Sequence, residues 1–188
     1  MEDPFDSKTL RIQQPGKLLS NRASYEIYDG QRQLLAIATE TEAHTRLRVL
    51  SKAMPNTRVL AVTTAGREPI LTLIKQASTW ITELKDPGGE LIGRIRTSGT
   101  RRHYTLLDDE DQTVGMVVGD LGLKNFSVTG AGGGEIARVR KTWAGLTKEM
   151  LTVSDHYRVD FTGPVSPSCR TLTVMMPIVL DLTLYGPT

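Results

Sequence analysis

Cysteine is nearly absent from this 188-residue chain, in which Cys169 stands alone. One thiol excludes an intramolecular disulfide and any all-cysteine metal site, and it fits a reducing compartment. Aromatic residues are scarce at 5%, and the apolar fraction is a modest 39%. Net charge is small too, +2 from 23 Lys+Arg against 21 Asp+Glu. That balance excludes a strongly polyanionic or polycationic protein, but not a local basic face. No apolar run reaches the roughly 20 residues of a spanning helix. The longest, Leu172 to Tyr185, is interrupted by Pro177 and Asp181. The start, Met1-Glu2-Asp3-Pro4-Phe5-Asp6, is acidic and lacks the apolar core of a secretory signal. Residues 1–8 are expected to form a disordered tail and 9–188 a single domain. The expected location is cytoplasmic, at most peripheral at a membrane, with no transmembrane span.

Catalytic groupings are also missing. His44, His103 and His156 share no metal-ligand spacing with one another or with Cys169. Cys169 precedes an apolar tail, which suits a buried structural thiol better than a nucleophile. Gly130-Ala131-Gly132-Gly133-Gly134 is glycine-rich, but it joins two strand-like runs. A phosphate loop would open a helix and carry Lys-Ser/Thr, so a hairpin turn is the better reading. These absences predict no enzyme and no cofactor.

What the chain does have is a repeat. Asp86-Pro87-Gly88-Gly89-Glu90-Leu91-Ile92-Gly93, Asp108 to Val117 and Thr129 to Arg140 each put a polar turn before an aliphatic run. Gly93, Gly115 and Ala137 recur every 22 residues, and Asp29-Gly30 to Ala38 is an earlier copy. Asp-Gly and Gly-Gly are expected to supply the positive φ that tight hairpins need. A period of that length holds one hairpin. The small residue after Ile92, Val114 and Ile136 marks a bulge or bend, as a closing sheet requires. Further strand candidates are Tyr25–Tyr28, Arg58–Thr63, Ile70–Lys75, Thr79–Leu84, His103–Leu107, Asn125–Val128, Glu149–Val153 and Tyr157–Phe161. About a dozen short strands imply a barrel or a sandwich. Glu40–Met54 lacks alternation and is expected to be a long connection that holds a short helix.

The tail supports two patterns. Leu172, Val174, Met176, Ile178, Leu180, Leu182 and Leu184 alternate as in a strand. Leu172, Met175, Met176, Val179, Leu180 and Leu184 line one helical face. Pro177 disfavours both a helix interior and a central strand.

Taken together these residues resemble the phospholipid scramblase and LURP-one-related proteins of the tubby C-terminal-like superfamily. The resemblance runs from about Leu10 to Gly186. It rests on Leu10-Arg11-Ile12-Gln13-Gln14, Tyr25-Glu26-Ile27-Tyr28-Asp29-Gly30 and the repeated Gly-x-Ile/Val strands. Ile136 to Gly145 and Ser154 to Phe161 complete it, followed by the apolar tail. It implies a mainly β fold: a twelve-stranded antiparallel closed β-barrel around a buried hydrophobic C-terminal helix, here about 171–184. It also implies anionic phospholipid or phosphoinositide headgroups as partners, without enzymatic activity.

Arg94 and Arg96 share one face of their strand, as do Arg138 and Arg140. Arg101, Arg102 and Lys141 are expected in adjoining turns. A basic outer face of Arg94, Arg96, Arg138, Arg140 and Lys141 is therefore the candidate headgroup site, since clustered guanidinium groups grip phosphate. The plainer alternative is a solvated exterior. Scramblase-like proteins carry an acid-rich loop before the last helix, and the matching stretch keeps only Asp155 and Asp160. Ca²⁺ wants six to eight oxygens, so these two are weak calcium candidates and no metal is expected. Trp143 and Trp80 suit an interface, but as large aromatics they are expected to pack in the barrel. The competing function is a soluble protein-interaction or regulatory scaffold, with nucleic acid a poorer partner than lipid. A third class is an enzyme with a pocket at the barrel end.

Overall fold

The computed structural model describes residues 4–15, 23–41, 57–76, 79–143 and 155–184. The strands are β1 (Thr9–Gln13), β2 (Ser24–Asp29), β3 (Leu34–Glu40), β4 (Arg58–Thr64), β5 (Pro69–Lys75) and β6 (Ile81–Lys85). They continue with β7 (Leu91–Thr97), β8 (His103–Asp108), β9 (Thr113–Gly119), β10 (Asn125–Gly130), β11 (Glu135–Trp143) and β12 (Asp155–Phe161). Each pairs antiparallel with its chain neighbours, and β1 with β12 closes the barrel. The expected helix within Glu40–Met54 and the strand Glu149–Val153 lie outside the described residues.

The repeat is a hairpin, as its period implied. In each turn an N–H three residues on donates to the first residue's carbonyl, as from Arg32 to Asp29, Gly89 to Asp86 and Asp111 to Asp108. The donor residue takes the positive φ, a three-residue loop with a bulge. Gly89 (φ 90°) and Gly133 (φ 79°) fill that position as expected, but at Asp29-Gly30 it falls on Arg32 (φ 69°). Asp111 and Arg67 likewise hold it without being glycine. Side-chain acceptors offset that cost. Asp29 Oδ1 accepts from the N–H groups of Gln31 and Gln33, and Asp108 Oδ1 from those of Glu110 and Gln112.

The bulges are also present. The ladder skips Ile92, Val114 and Ile136, each just before its small residue. The same skip occurs at Leu35 before Ala36 and at Ile70 before Leu71. Gly93 is needed for space, because a Cβ there would lie 2.4 Å from the Leu107 carbonyl oxygen.

The tail is a helix, α1 (Pro167–Leu184), and it fills the barrel. It begins at Pro167 rather than near residue 171. The Ser166 hydroxyl accepts from Cys169 N–H, and Pro167 sits in the first turn, where no N–H is needed. Leu172, Val174, Met175, Met176, Ile178, Val179 and Leu180 are all fully buried, so along this stretch no side of the helix meets water. Pro177 withholds one backbone donor. Inside a barrel that loss is outweighed by apolar packing on every side. Asp181 is the buried charge, and it accepts a hydrogen bond from the Tyr25 hydroxyl. Burial, then the Asp181 charge and bond, push the Tyr25 phenol far above its ordinary range, so it stays a donor. Phe5, within the segment expected to be a tail, is buried at 1% exposure, and Arg170 donates to its carbonyl.

The antiparallel order gives the barrel two distinct ends. The turns β2–β3, β4–β5, β6–β7, β8–β9 and β10–β11 lie at one, beside the start of α1. The connections β5–β6, β7–β8 and β9–β10 lie at the other.

Candidate functional site

Alternation decides which charges face outward. Ala137 and Val139 point into the barrel, which turns Arg138 and Arg140 out. Gly93 and Ile95 do the same for Arg94 and Arg96. Lys141 is one residue past Arg140, so it falls on the opposite parity. It lies within β11 rather than in a turn, with its ammonium 5.6 Å from the buried Tyr157 ring. The expected outer-face position for Lys141 is therefore corrected.

The remaining four arginines are not one cluster. β7 and β11 are separated by β8, β9 and β10. At about 4.8 Å per strand the two arginine pairs stand roughly 19 Å apart along the sheet. Arg94 is tied to Glu83 and Asp111. Arg96 is exposed and has no side-chain partner among the described residues.

The β11 pair has neighbours that the sequence hid. Arg140 registers against Arg158 on β12, and Arg158 against Arg11 on β1. Leu10 and Ile12 point inward, so Arg11 joins the outer face. Three guanidinium-bearing residues thus stand side by side across the barrel seam. Asp160 sits one row away between Arg138 and Thr9. Its carboxylate accepts from Arg140 at 2.8 Å, Arg158 at 2.8 Å and the Thr9 hydroxyl at 2.9 Å. Burial raises its pKa, but the two arginines and Thr9 outweigh burial and hold it below the usual carboxylate range. Arg138 pairs with Glu135 at 2.6 Å. Arg11 has no side-chain partner among the described residues.

Asp160 is thus occupied by cationic side chains, which disfavours a second cation there. The side chain of Asp155, the other calcium candidate, lies outside the described residues. Among those residues no three His, Cys, Asp or Glu groups come together as a metal site. The glycine-rich segment is the β10–β11 turn. It borders a cavity of about 270 Å³ lined by Val114, Ile136, Pro164, Val165 and Cys169. Burial pushes the Cys169 thiol up, which disfavours the reactive thiolate. Trp80 departs from its expected packing, for it is 49% exposed at the rim. The Trp143 side chain lies outside the described residues.

The fold is thus a closed twelve-stranded antiparallel barrel filled by its own C-terminal helix, with arginines ranked across the seam. The chain belongs to the Scramblase family, whose pattern it matches over residues 19–186. Its fold is similar to the X-ray structure of a protein from Arabidopsis thaliana, with a TM-score of 0.56 at 13% identity. That likeness covers 94% of this chain and 96% of the other. None of the curated proteins matches this sequence. Among the described residues no helix is long and apolar enough to cross a membrane.

Proposed function

We propose that the barrel is a non-enzymatic, scramblase-related module that engages anionic phospholipid or phosphoinositide headgroups from the cytoplasmic side of a membrane. The observation that carries this reading is the Arg11–Arg158–Arg140 row, with Arg138 beside it. Asp160 and Glu135 offset part of that charge, and Arg11 is left without an ion pair among the described residues. Guanidinium forks bind phosphate with directed, charge-assisted hydrogen bonds. Family membership supports a lipid as the source of that phosphate. Because α1 is enclosed, it offers no path for a headgroup through a bilayer. The proposed act is therefore surface binding rather than scrambling.

Vesicle sedimentation tests this. Binding is expected to phosphatidylcholine vesicles doped with phosphatidylserine or a phosphoinositide, not to phosphatidylcholine alone. It should fall as salt rises, because surface charges are screened. Arg138→Glu and Arg11→Glu should each weaken it. No binding to any anionic vesicle at low salt would leave the soluble scaffold as the better account.

A further inference from the structure

The rim carried by β6 to β11 combines two features that the arginine row lacks. First, it exposes apolar side chains. Leu121 is 87% exposed at the tip of the β9–β10 turn, and Trp80 stands at the entry to β6. Val118 and Met116 extend the apolar strip down the outer face of β9. Second, the cations concentrate around that strip. Arg101 and Arg102 lie in the neighbouring β7–β8 turn, and Lys124 in the same turn as Leu121. The row through Met116 reaches Arg96 by way of Thr105, and the row through Val118 reaches Arg138 by way of Ser127.

Backbone bonds lock these parts into one edge. Thr97 N–H donates to the Trp80 carbonyl, Gly119 N–H to the Arg102 carbonyl, and Lys141 N–H to the Lys124 carbonyl. The Arg102 side chain also donates to the Gly119 carbonyl at 3.2 Å. The acid in these described turns is Asp120, and its carboxylate is spent on Lys124 N–H and the Asn125 amide. Lys75, at the end of β5, senses the field: burial, then Arg101 and Arg58, push its ammonium below the ordinary range.

We infer that the barrel docks end-on to an anionic bilayer, with Leu121 inserted into the interface and Trp80, farther round the same rim, at headgroup depth. This rests on the lipid-binding reading and adds the surface, the orientation and an apolar term. Charge complementarity selects the occupant. A phosphate polymer would use the same cations, but it gives a nearly fully exposed leucine nothing to enter. A bilayer takes both, since tryptophan belongs at its interface and leucine beneath it.

The test uses phosphatidylcholine vesicles containing one-fifth phosphatidylserine and an environment-sensitive fluorophore on a single engineered thiol. Cys169→Ala provides the background. The label goes at Leu121→Cys or, at the opposite end, at Asp109→Cys. The expected result is a blue shift at position 121 on vesicle addition and none at 109. Unlabelled Leu121→Asp should bind these vesicles at least about tenfold more weakly, with unchanged thermal stability. Sedimentation of wild type with an unmoved label at 121, or with equal binding of Leu121→Asp, overturns the end-on mode and leaves the lipid reading standing. The same blue shift with heparin in place of vesicles also overturns it, by making the rim a general polyanion site. Failure of wild type to sediment removes both.

Discussion

The two ends of the barrel use charge in opposite ways. At the end that carries the β2–β3, β6–β7 and β8–β9 turns, the acids are part of the fold. Asp29, Asp86 and Asp108 each accept backbone N–H bonds that close a hairpin. Asp109 and Glu110 add further negative charge in the same turn as Asp108. At the other end Arg96 and Arg101 hold nothing in place through their side chains. Charge committed to a turn is a by-product of building the barrel. Charge left over on a rim, next to an exposed leucine, is available to a partner. A net charge of +2 says nothing of how the charges are placed.

The comparison presumes that both ends hang on one rigid barrel, and breaking that barrel is the largest expected effect. Leu180→Asp places an unpaired charge in a fully buried position of α1. The cost is several kcal/mol, a large part of a typical stability of about 5–15 kcal/mol. Circular dichroism and gel filtration should find no folded monomer, and a cooperatively melting one would contradict the buried helix.

Next in size is close packing. Gly93→Ala drives a methyl group into the Leu107 carbonyl and toward Leu172, whereas a Cβ at Gly132 meets nothing within 4 Å. Urea melts should show a loss of about 1–3 kcal/mol for the first and near zero for Gly132→Ala. Third comes the contrast in charge itself. Asp108→Ala removes the acceptor for two turn N–H groups and should cost about 1 kcal/mol. Arg101→Ala should lie within about 0.5 kcal/mol of wild type. Equal losses would erase the distinction between the ends.

The smallest effect is pH-dependent. Asp160 titrates below its unfolded value, so its contribution is complete above about pH 4 and is lost as pH falls through the folded value. Arg140→Met removes one of the groups that depress it, so the acid loss should be smaller and should end at a higher pH. Acid melts of the two proteins measure the difference.

Much of the shell was legible because its signals are local. A small residue after a β-branched or aliphatic one, repeated every 22 residues, marked three of the bulges. The bulge at Ile70 keeps the same period but precedes Leu71, so composition gave no cue. Positive φ at Arg32 and Asp111 was invisible for a like reason, since turn geometry there overrides residue preference. The helix start is written in Ser166-Pro167, a cap followed by a first-turn proline, which precedes the apolar run by about a turn. Strand parity from Arg138 and Arg140 sets Lys141 on the opposite face, a signal present in the sequence itself. Arg11 and Arg158 could not be joined locally. They meet only because the first and last strands close the barrel, a consequence of the whole topology. Trp80 shows the reverse limit: aromatics usually bury, and this one sits on a rim.

Paired charge reversals at the two ends test the central claim most directly. Arg96→Glu/Arg101→Glu changes two rim cations that have no side-chain partner among the described residues. Asp109→Lys/Glu110→Lys makes the opposite change at the far end. Both are compared with wild type by sedimentation with phosphatidylcholine–phosphatidylserine vesicles at one ionic strength. Each basic residue near an anionic surface contributes about 1 kcal/mol, so the rim reversal should weaken binding at least roughly tenfold. The far-end reversal should leave binding unchanged or slightly tighter. Equal loss from both, or loss from the far-end pair alone, would contradict the assignment of membrane contact to the basic rim.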